Sequence, residues 1–383
     1  MTVRERTEVL PLFEQYHLLG EKLPHISLGE FPTPVKRLER LGAELGIGHL
    51  YIKRDDLSAK LYGGNKLRKL EFVLGDAIRS GARELMTFGG AGSNHALATT
   101  IYAQYLGLKS ISMLVPQPNA RYVRDNLLMS HYYGAELHSC GAELESAINL
   151  PLVCLATIYQ LIRRRLKSGR FPYLIPPGGS SPLGVTGFVN AAFELREQIA
   201  NDEMPEPESV YVACGTLGTA AGLLLGLRAA KLNSRVVSVR VTSEKFVNTR
   251  RMTKLINRTN SLIHSLDPSF PVFEFSSAGV DLRHDYFGKQ YALFTEESME
   301  AVSLMGECEG IKLDGTYTGK ALAALIDDAK NESLRGKSVL FWNTLNSRSR
   351  PESISNLDYR DLPRRFHRYF QQEVQLLDRD THP

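Results

Sequence analysis

Short apolar runs rich in β-branched or aromatic residues alternate along the chain with stretches whose apolar positions recur every three or four residues. The first pattern fits buried strands and the second helices with one buried face; their alternation predicts an α/β protein with largely parallel sheets. Four pairs stand out: "ELMTF" (84–88) before "HALATTIYAQYLG" (95–107), "SISMLVP" (110–116) before "ARYVRDNLLMSHYYG" (120–134), "SVYVACG" (209–215) before "TAAGLLLGLRAAK" (219–231), and "RVVSVRVT" (235–242) before a helix starting near Glu244. Beyond Phe270 the pattern predicts strands at 271–275 and 338–342, with helices at 296–309 and 319–330 between them. Leu67, Leu70, Leu74 and Ile78 mark one face of a further helix, with Asn65 as its N-cap.

A chain of 383 residues exceeds the usual single-domain range, so two lobes are expected. The strongest mid-chain punctuation, "PPGGSSPLG" (176–184), reads as a hinge between them, and from Ser347 onward the charged text reads as a peripheral helix or arm. With 43% hydrophobic and 23% charged residues the composition is that of a soluble globular protein, not a disordered or fibrous one. The net charge of +4 is mild, and Lys and Arg are scattered except in "IRRRLK" (162–167), so no nucleic-acid footprint follows. The uncharged run Ser209–Leu227 has the length of a membrane span, but Gly215, Gly218, Gly222 and Gly226 break it into strand, loop and helix. Cys140, Cys154, Cys214 and Cys308 are too widely spaced for a zinc site and read as reduced thiols. The first residues lack the apolar run of a signal peptide, so a cytoplasmic protein is expected.

Four segments carry candidate chemistry. "LYGGNKLRKLEF" (61–72) places Lys66, Arg68 and Lys69 in the first turn of a helix, where cations are the wrong sign for the dipole by about 0.3–1 kcal/mol each. Two readings explain this: a solvated basic turn partly neutralised by Asp55, Asp56 and Glu71, or an anion held nearby with Lys66 not a free ammonium. "FGGAGSNHA" (88–96) is a glycine-rich strand-to-helix turn whose amides could hold a carboxylate or phosphate, although Ser93 and Asn94 are also ordinary caps. "CGTLGTAAG" (214–222) lacks the second glycine of the dinucleotide fingerprint and the Lys-Ser/Thr of a Walker loop. Its two threonines and helix-start amides suit a single phosphate group. "LDGTYTGKAL" (313–322) sets Tyr317 and Thr318 ahead of a helix.

Taken with "YIKRDDL" (51–57), these segments stand in an order that resembles the pyridoxal-phosphate enzymes that include D-cysteine desulfhydrase and 1-aminocyclopropane-1-carboxylate deaminase, over roughly Phe31 to Thr344. The resemblance implies the tryptophan-synthase β-subunit type of fold: a two-lobed α/β protein with mostly parallel open sheets, a large cofactor-phosphate-binding domain (1–69 and 176–383), and a small domain (70–175) carrying the asparagine loop. It implies that Lys66 forms the imine with pyridoxal 5'-phosphate, and that Lys69, Thr216, Leu217, Gly218 and Thr219 meet its phosphate. It further implies that Ser93 meets the substrate carboxylate, that Asn94 meets the cofactor's ring oxygen, and that Tyr291 and Tyr317 lie over the cofactor, with Thr344 facing the pyridine nitrogen. The implied reaction is α,β-elimination from a small amino acid such as D-cysteine, and the implied assembly a homodimer. Loss of a thiol from Cβ leaves an aminoacrylate that hydrolyses to pyruvate and ammonia.

Three departures bear on the substrate. Ring-opening deaminases of the resembled group follow the tyrosine with a glutamate aimed at the pyridine nitrogen, and this chain has Thr318, which favours the desulfhydrase side. In "WNTLN" (342–346) Asn343 stands where desulfhydrases have histidine, and Leu345 and Asn346 where they have two glycines. Gly92 replaces the usual glutamine before "SNH", a change expected to open space near the substrate. Aminocyclopropane-carboxylate ring opening, another deamination or racemisation, a non-catalytic cofactor-binding protein, and a nucleotide-binding protein using 214–222 are the alternatives.

Overall fold

The apolar runs become the inner strands of two separate sheets in the computed structural model, which describes residues 9–141 and 149–379. Among the described residues the strands are β1 (Val35–Arg37), β2 (His49–Arg54), β3 (Glu84–Gly90), β4 (Lys109–Val115), β5 (Glu136–Ser139), β6 (Tyr173–Ile175), β7 (Ser209–Cys214), β8 (Arg235–Arg240), β9 (Leu282–Arg283) and β10 (Ser338–Asn343). The α-helices are α1 (Pro11–Gln15), α2 (His17–Lys22), α3 (Glu39–Glu44), α4 (Lys66–Arg79), α5 (Asn94–Tyr105), α6 (Arg121–Tyr132), α7 (Asn149–Ser168), α8 (Pro182–Ala200), α9 (Gly218–Ala229), α10 (Thr249–Leu266), α11 (Glu296–Glu309), α12 (Thr318–Lys330), α13 (Arg368–Gln371) and α14 (Leu376–Arg379). The chain divides into two compact units. Unit 1 holds the chain up to Gly75, Ser180–Phe287 and Thr295–Arg348; unit 2 holds Asp76–Gly179, Gly288–Phe294 and the chain from Ser349.

In unit 1 the sheet order is β1-β2-β10-β7-β8-β9, parallel throughout except for the antiparallel edge pair β1–β2. Alternate residues of its inner strands enter two cores, because successive side chains point to opposite faces. Val210, Val212, Leu340 and Trp342 join the core under α8, α9 and α10, while Tyr211, Ala213, Val339 and Phe341 join the one under α11 and α12. Burial on both faces is why these strands read as continuous apolar runs. In unit 2 the sheet is wholly parallel, ordered β5-β4-β3-β6. The strand ends Arg54, Cys214 and Asn343 in unit 1, and Gly90 in unit 2, lead into the motif-bearing loops, where ligands of open α/β sheets bind.

Several expectations change. Residues 271–275 form no strand, because their backbone is taken up by Asn260, whose Nδ2 donates to Pro271 O and whose Oδ1 accepts from Phe273 N (2.9 and 2.7 Å). The sheet edge is the short β9 instead. Helix α10 begins at Thr249, not near Glu244, since Asn248 caps it by accepting from Arg251 N. Ile78 is 42% exposed, so the buried face of α4 runs through Leu67, Leu70 and Leu74 without it. The residues from Ser349 on, expected with the large domain, pack within unit 2: Tyr369 Oη donates to Gln117 O, Gln375 N to Asn119 O, and Arg121 N to the Asp378 carboxylate. The unit boundary also falls at Gly75/Asp76 rather than at residue 70, and Gly288–Phe294 joins unit 2. Among the described residues no helix is long and apolar enough to cross a membrane.

Candidate active site

The turn before α4 is pinned by the loop after β10. Gly64 lies at φ +95°, where a side chain would stand 3.0 Å from Thr344 O. Glycine is required there. Asn65 N donates to Thr344 O (3.2 Å) and Gly63 N to Asn346 Oδ1 (2.8 Å), so the asparagine that replaces a family glycine holds the turn with its side chain. Asn65 Nδ2 donates to Thr219 Oγ1 (3.0 Å), tying the same turn to the start of α9. Lys66, Thr219 and Thr344 are thereby gathered in unit 1.

Arg68 is not solvated. It is 2% exposed and faces into unit 1, where it meets Asp55 (2.8 Å) and Glu194 (2.8 Å) and donates to Thr33 Oγ1 (3.0 Å). Lys53 Nζ reaches the other side of Glu194 (2.6 Å), and Trp342 Nε1 donates to Asp55 (2.8 Å). Burial alone would raise Glu194, but the Arg68 and Lys53 cations hold its carboxyl at about 2. Two cations and two carboxylates thus balance inside the unit, and Arg68 clamps the first turn of α4.

Lys69, one residue on, points elsewhere. Its Nζ lies 3.4 Å from Ser180 Oγ, which is 2.9 Å from Thr216 Oγ1. A Cβ on Gly218 would stand 2.5 Å from Ser180 Oγ and 2.8 Å from Lys69 Nζ, so the bare glycine leaves room beside both donors for one small anion. Leu217 sits at φ +69°, ψ −35°, bridged by Gly218 N to Thr216 O (2.9 Å). This γ-turn costs a non-glycine residue about 1–3 kcal/mol. Burial, then the neighbouring Lys66, holds the Lys69 amine well below its ordinary range.

Lys66 is half-buried, and lost solvation pulls its amine down to about 8, with Asp314 and Cys214 acting in the opposite sense. Burial pushes the Cys214 thiol up to about 12. Tyr317 stands against Gly215, where a Cβ would lie 3.2 Å from its Cε1. Thr318 is buried, and its hydroxyl donates to Asp314 Oδ2 (2.9 Å) while accepting from Asp314 N (2.8 Å). Asn343 is also fully buried; its Oδ1 accepts from Leu345 N, and its Nδ2 has no partner among the described residues.

Ser93, Asn94 and Tyr291 belong to unit 2. Ser93 caps α5 by accepting from Ala96 N (3.2 Å), which leaves its hydroxyl proton to donate. Asn94 Oδ1 accepts from Asn126 Nδ2 (2.8 Å), so its own amide group is turned away from that contact. Gly89 and Gly90, at the end of β3, make room for Ser93 and for the Tyr291 ring: a Cβ on either would lie 2.4 Å from Ser93 Oγ or 3.2 Å from Tyr291 Cε1. Gly92 does not open space. A Cβ there would meet Tyr122 (2.7 Å) and Val123 (2.8 Å), and its amide donates to Gln117 Oε1 (3.0 Å).

The sequence reading missed Ser180, Asn126 and Asp314. Ser180 lay in plain view within "PPGGSSPLG", where the glycines and prolines pointed to a hinge. A groove of about 830 Å³ lies along the exposed face of α10, between Arg250, Lys254 and Arg258, and contains none of the motif residues.

The pyridoxal-phosphate-dependent enzyme family matches residues 26–344. The chain belongs to that family. It is 35% identical over 328 residues to a D-cysteine desulfhydrase of Serratia proteamaculans and 34% identical to one of Klebsiella pneumoniae, covering 84% of this chain and 94% of each relative. A crystal structure described as an ACC deaminase homologue superposes with a TM-score of 0.73 at 33% identity, covering 89% of this chain and 96% of that one. Threonine deaminase isoform 2 of Solanum lycopersicum shares the fold at a TM-score of 0.56 and 15% identity, covering 91% and 93%. The family's cofactor is pyridoxal phosphate, and the residues of unit 1 fit it. The Gly218, Ser180, Thr216 and Lys69 cradle suits its phosphate, and a half-buried lysine with a lowered pKa suits its aldehyde.

Proposed function

We propose that the protein catalyses α,β-elimination of D-cysteine, in which D-cysteine and water give pyruvate, ammonia and hydrogen sulfide. The observation that carries this reading is the extent of the likeness to D-cysteine desulfhydrases, about a third of residues identical over nearly their whole length. Thr318 supports it, because a neutral hydroxyl committed to Asp314 stands where a ring-opening deaminase of the resembled group would carry a glutamate.

Bound pyridoxal phosphate supplies the electron sink that makes the substrate Cα proton acidic. In this reading Lys66 is the residue that would hold the cofactor, and its Nζ, once free, takes the Cα proton of the substrate. A pKa near 8 suits that work, since base catalysis is most effective when the base titrates near the working pH. Lys69, Ser180, Thr216, Leu217, Gly218 and Thr219 hold the phosphate. Ser93 Oγ and the first amides of α5 receive the substrate carboxylate, with Asn94 meeting the ring oxygen. Tyr291 and Tyr317 flank the reacting atoms, and Thr344 faces the pyridine nitrogen. Unit 1 is the cofactor-phosphate domain and unit 2 the domain of the asparagine loop.

A cytoplasmic homodimer completes the proposal. A second copy needs an apolar face, and α7 exposes Leu155, Ile158, Tyr159, Ile162 and Leu166 along one stripe. The test is a substrate panel on the purified holoenzyme. Sulfide and pyruvate formed in equal amounts from D-cysteine support the reading; 2-oxobutanoate from 1-aminocyclopropane-1-carboxylate without sulfide from cysteine overturns it.

A further inference from the structure

Tyr317 precedes α12 with a backbone conformation, φ −123° and ψ −72°, that belongs to neither helix nor strand, and its own side chain makes no cap to the helix. What holds it is Asp314, three residues earlier. Asp314 Oδ1 accepts from both Thr316 N (2.9 Å) and Tyr317 N (2.6 Å). Its Oδ2 accepts from Thr318 Oγ1 (2.9 Å), whose oxygen accepts in turn from Asp314 N (2.8 Å). Asp314 O accepts from Gly319 N (2.8 Å), closing the loop onto the first turn of α12. A carboxylate in this place answers the orphan amides and the positive end of the helix together.

The other boundary on Tyr317 is Gly215, which leaves little room for the ring to shift toward the phosphate loop. Thr242 Oγ1 donates to Gly215 O (2.8 Å) and fixes that surface. The ring therefore has a floor at Gly215 and a backbone anchor at Asp314. Gly315 lies between the anchor and the tyrosine, so the segment has no rigidity of its own to replace the carboxylate.

We propose that Asp314 is a positioning residue for the elimination: by accepting from the Tyr317 amide it sets where the phenol stands relative to the reacting atoms. This rests on the reading that Tyr317 acts on the substrate. A residue that only capped α12 would change stability and leave turnover alone. A positioning residue changes kcat, because a shift of about 1 Å in a group near the chemistry can cost about 10²-fold.

Two variants separate acceptor placement from charge. Asp314→Asn keeps an oxygen for the two amides and turns an N–H toward the Thr318 hydroxyl. Asp314→Glu keeps the charge but moves the acceptor by a methylene. Measured on holoenzymes with matched cofactor absorbance, Asp314→Asn is expected to keep kcat for D-cysteine within about threefold, and Asp314→Glu to lose about tenfold or more with KM little changed. Asp314→Glu combined with Tyr317→Phe is expected to be no slower than Tyr317→Phe alone, since the two changes remove one and the same contribution. The proposal is overturned if Asp314→Glu turns over like the parent, if Asp314→Asn is as slow as Asp314→Glu, or if the double variant shows the product of the two losses. Full activity in Tyr317→Phe itself instead removes Tyr317 from the reaction, a distinct failure that strikes the underlying reading.

Discussion

Helices α4 and α10 begin alike in sequence and differ in everything that follows. Each has an asparagine and then cations, Lys66, Arg68 and Lys69 after Asn65, and Arg250, Arg251 and Lys254 after Asn248. In α10 those side chains are exposed along the helix. There the wrong-signed charges cost about 0.3–1 kcal/mol each, screened by water and salt. In α4, Arg68 and Lys69 are buried, 2% and 1% exposed. Burial changes the scale of the problem to several kcal/mol per charge, so each cation needs a dedicated answer. Arg68 has its answer within the chain, in Asp55 and Glu194. Lys69 lies 3.4 Å from the Ser180 hydroxyl, and in the proposed function its answer is the phosphate of the cofactor.

The contrast can be broken most forcefully at Arg68. Arg68→Ala leaves Glu194 paired with Lys53 and takes from Asp55 its ion-pair partner, and a loss of about 3–5 kcal/mol in unfolding free energy is expected by denaturant titration. Arg68→Lys is not expected to restore it, because a single ammonium cannot span both carboxylates as the guanidinium fork does. A loss under about 1 kcal/mol would mean that α4 is held by its apolar face alone. Lys69→Ala comes next. Removing one charged hydrogen bond to phosphate is expected to weaken cofactor binding by about 1.5–3 kcal/mol, read by equilibrium titration of cofactor absorbance.

The pH profile gives a third test. The amine of Lys66 is pulled from 10.5 to about 8, so in the cofactor-free protein its neutral, nucleophilic form becomes abundant as pH rises through about 8. The rate of pyridoxal phosphate uptake is expected to rise through that value, and a midpoint near 10 would contradict the burial of Lys66. The sign for stability follows from the same shift. Between about 8 and 10.5 the unfolded chain binds more protons at this lysine than the folded one, so its contribution to stability grows with pH across that window. The smallest effect belongs to α10, where Arg250→Ala with Arg251→Ala is expected to leave stability unchanged at high salt and to raise it by up to about 1 kcal/mol at low salt. A loss would show that these cations also have partners.

The alternation of strands and helices was legible because parallel strands buried on both faces leave unbroken apolar runs, as at 209–214 and 338–343. Helix α8 was not legible. It is buried on nearly all sides, so it shows no polar face and no helical period, and its Gly187 packs on the Arg68 carbonyl, where a Cβ would lie 2.0 Å away. Strand β2 escaped for the opposite reason: Lys53 carries charge into the core, and its partner Glu194 lies 141 residues on. Local pattern cannot report such a pairing. Among the site residues, Lys66, Lys69 and the loop at 214–222 were visible as glycines and cations in unusual places. The inward turn of Arg68 was not, since Asp55 and Glu194 come from segments 13 and 126 residues away. Asn126 and Asp314 bond to Asn94 and to Tyr317 and Thr318, and nothing in their own sequence neighbourhood marks those pairings.

The central claim is that, of the buried and half-buried lysines of unit 1, Lys66 is the one that holds the cofactor. Borohydride reduction of the purified holoenzyme fixes the cofactor to whichever amine carries it, and peptide mass mapping reads the position. The account predicts the label on the peptide containing Lys66, with no label and no visible cofactor band in Lys66→Ala. A label on Lys53, Lys69 or Lys320, or a band that survives in Lys66→Ala, would contradict it.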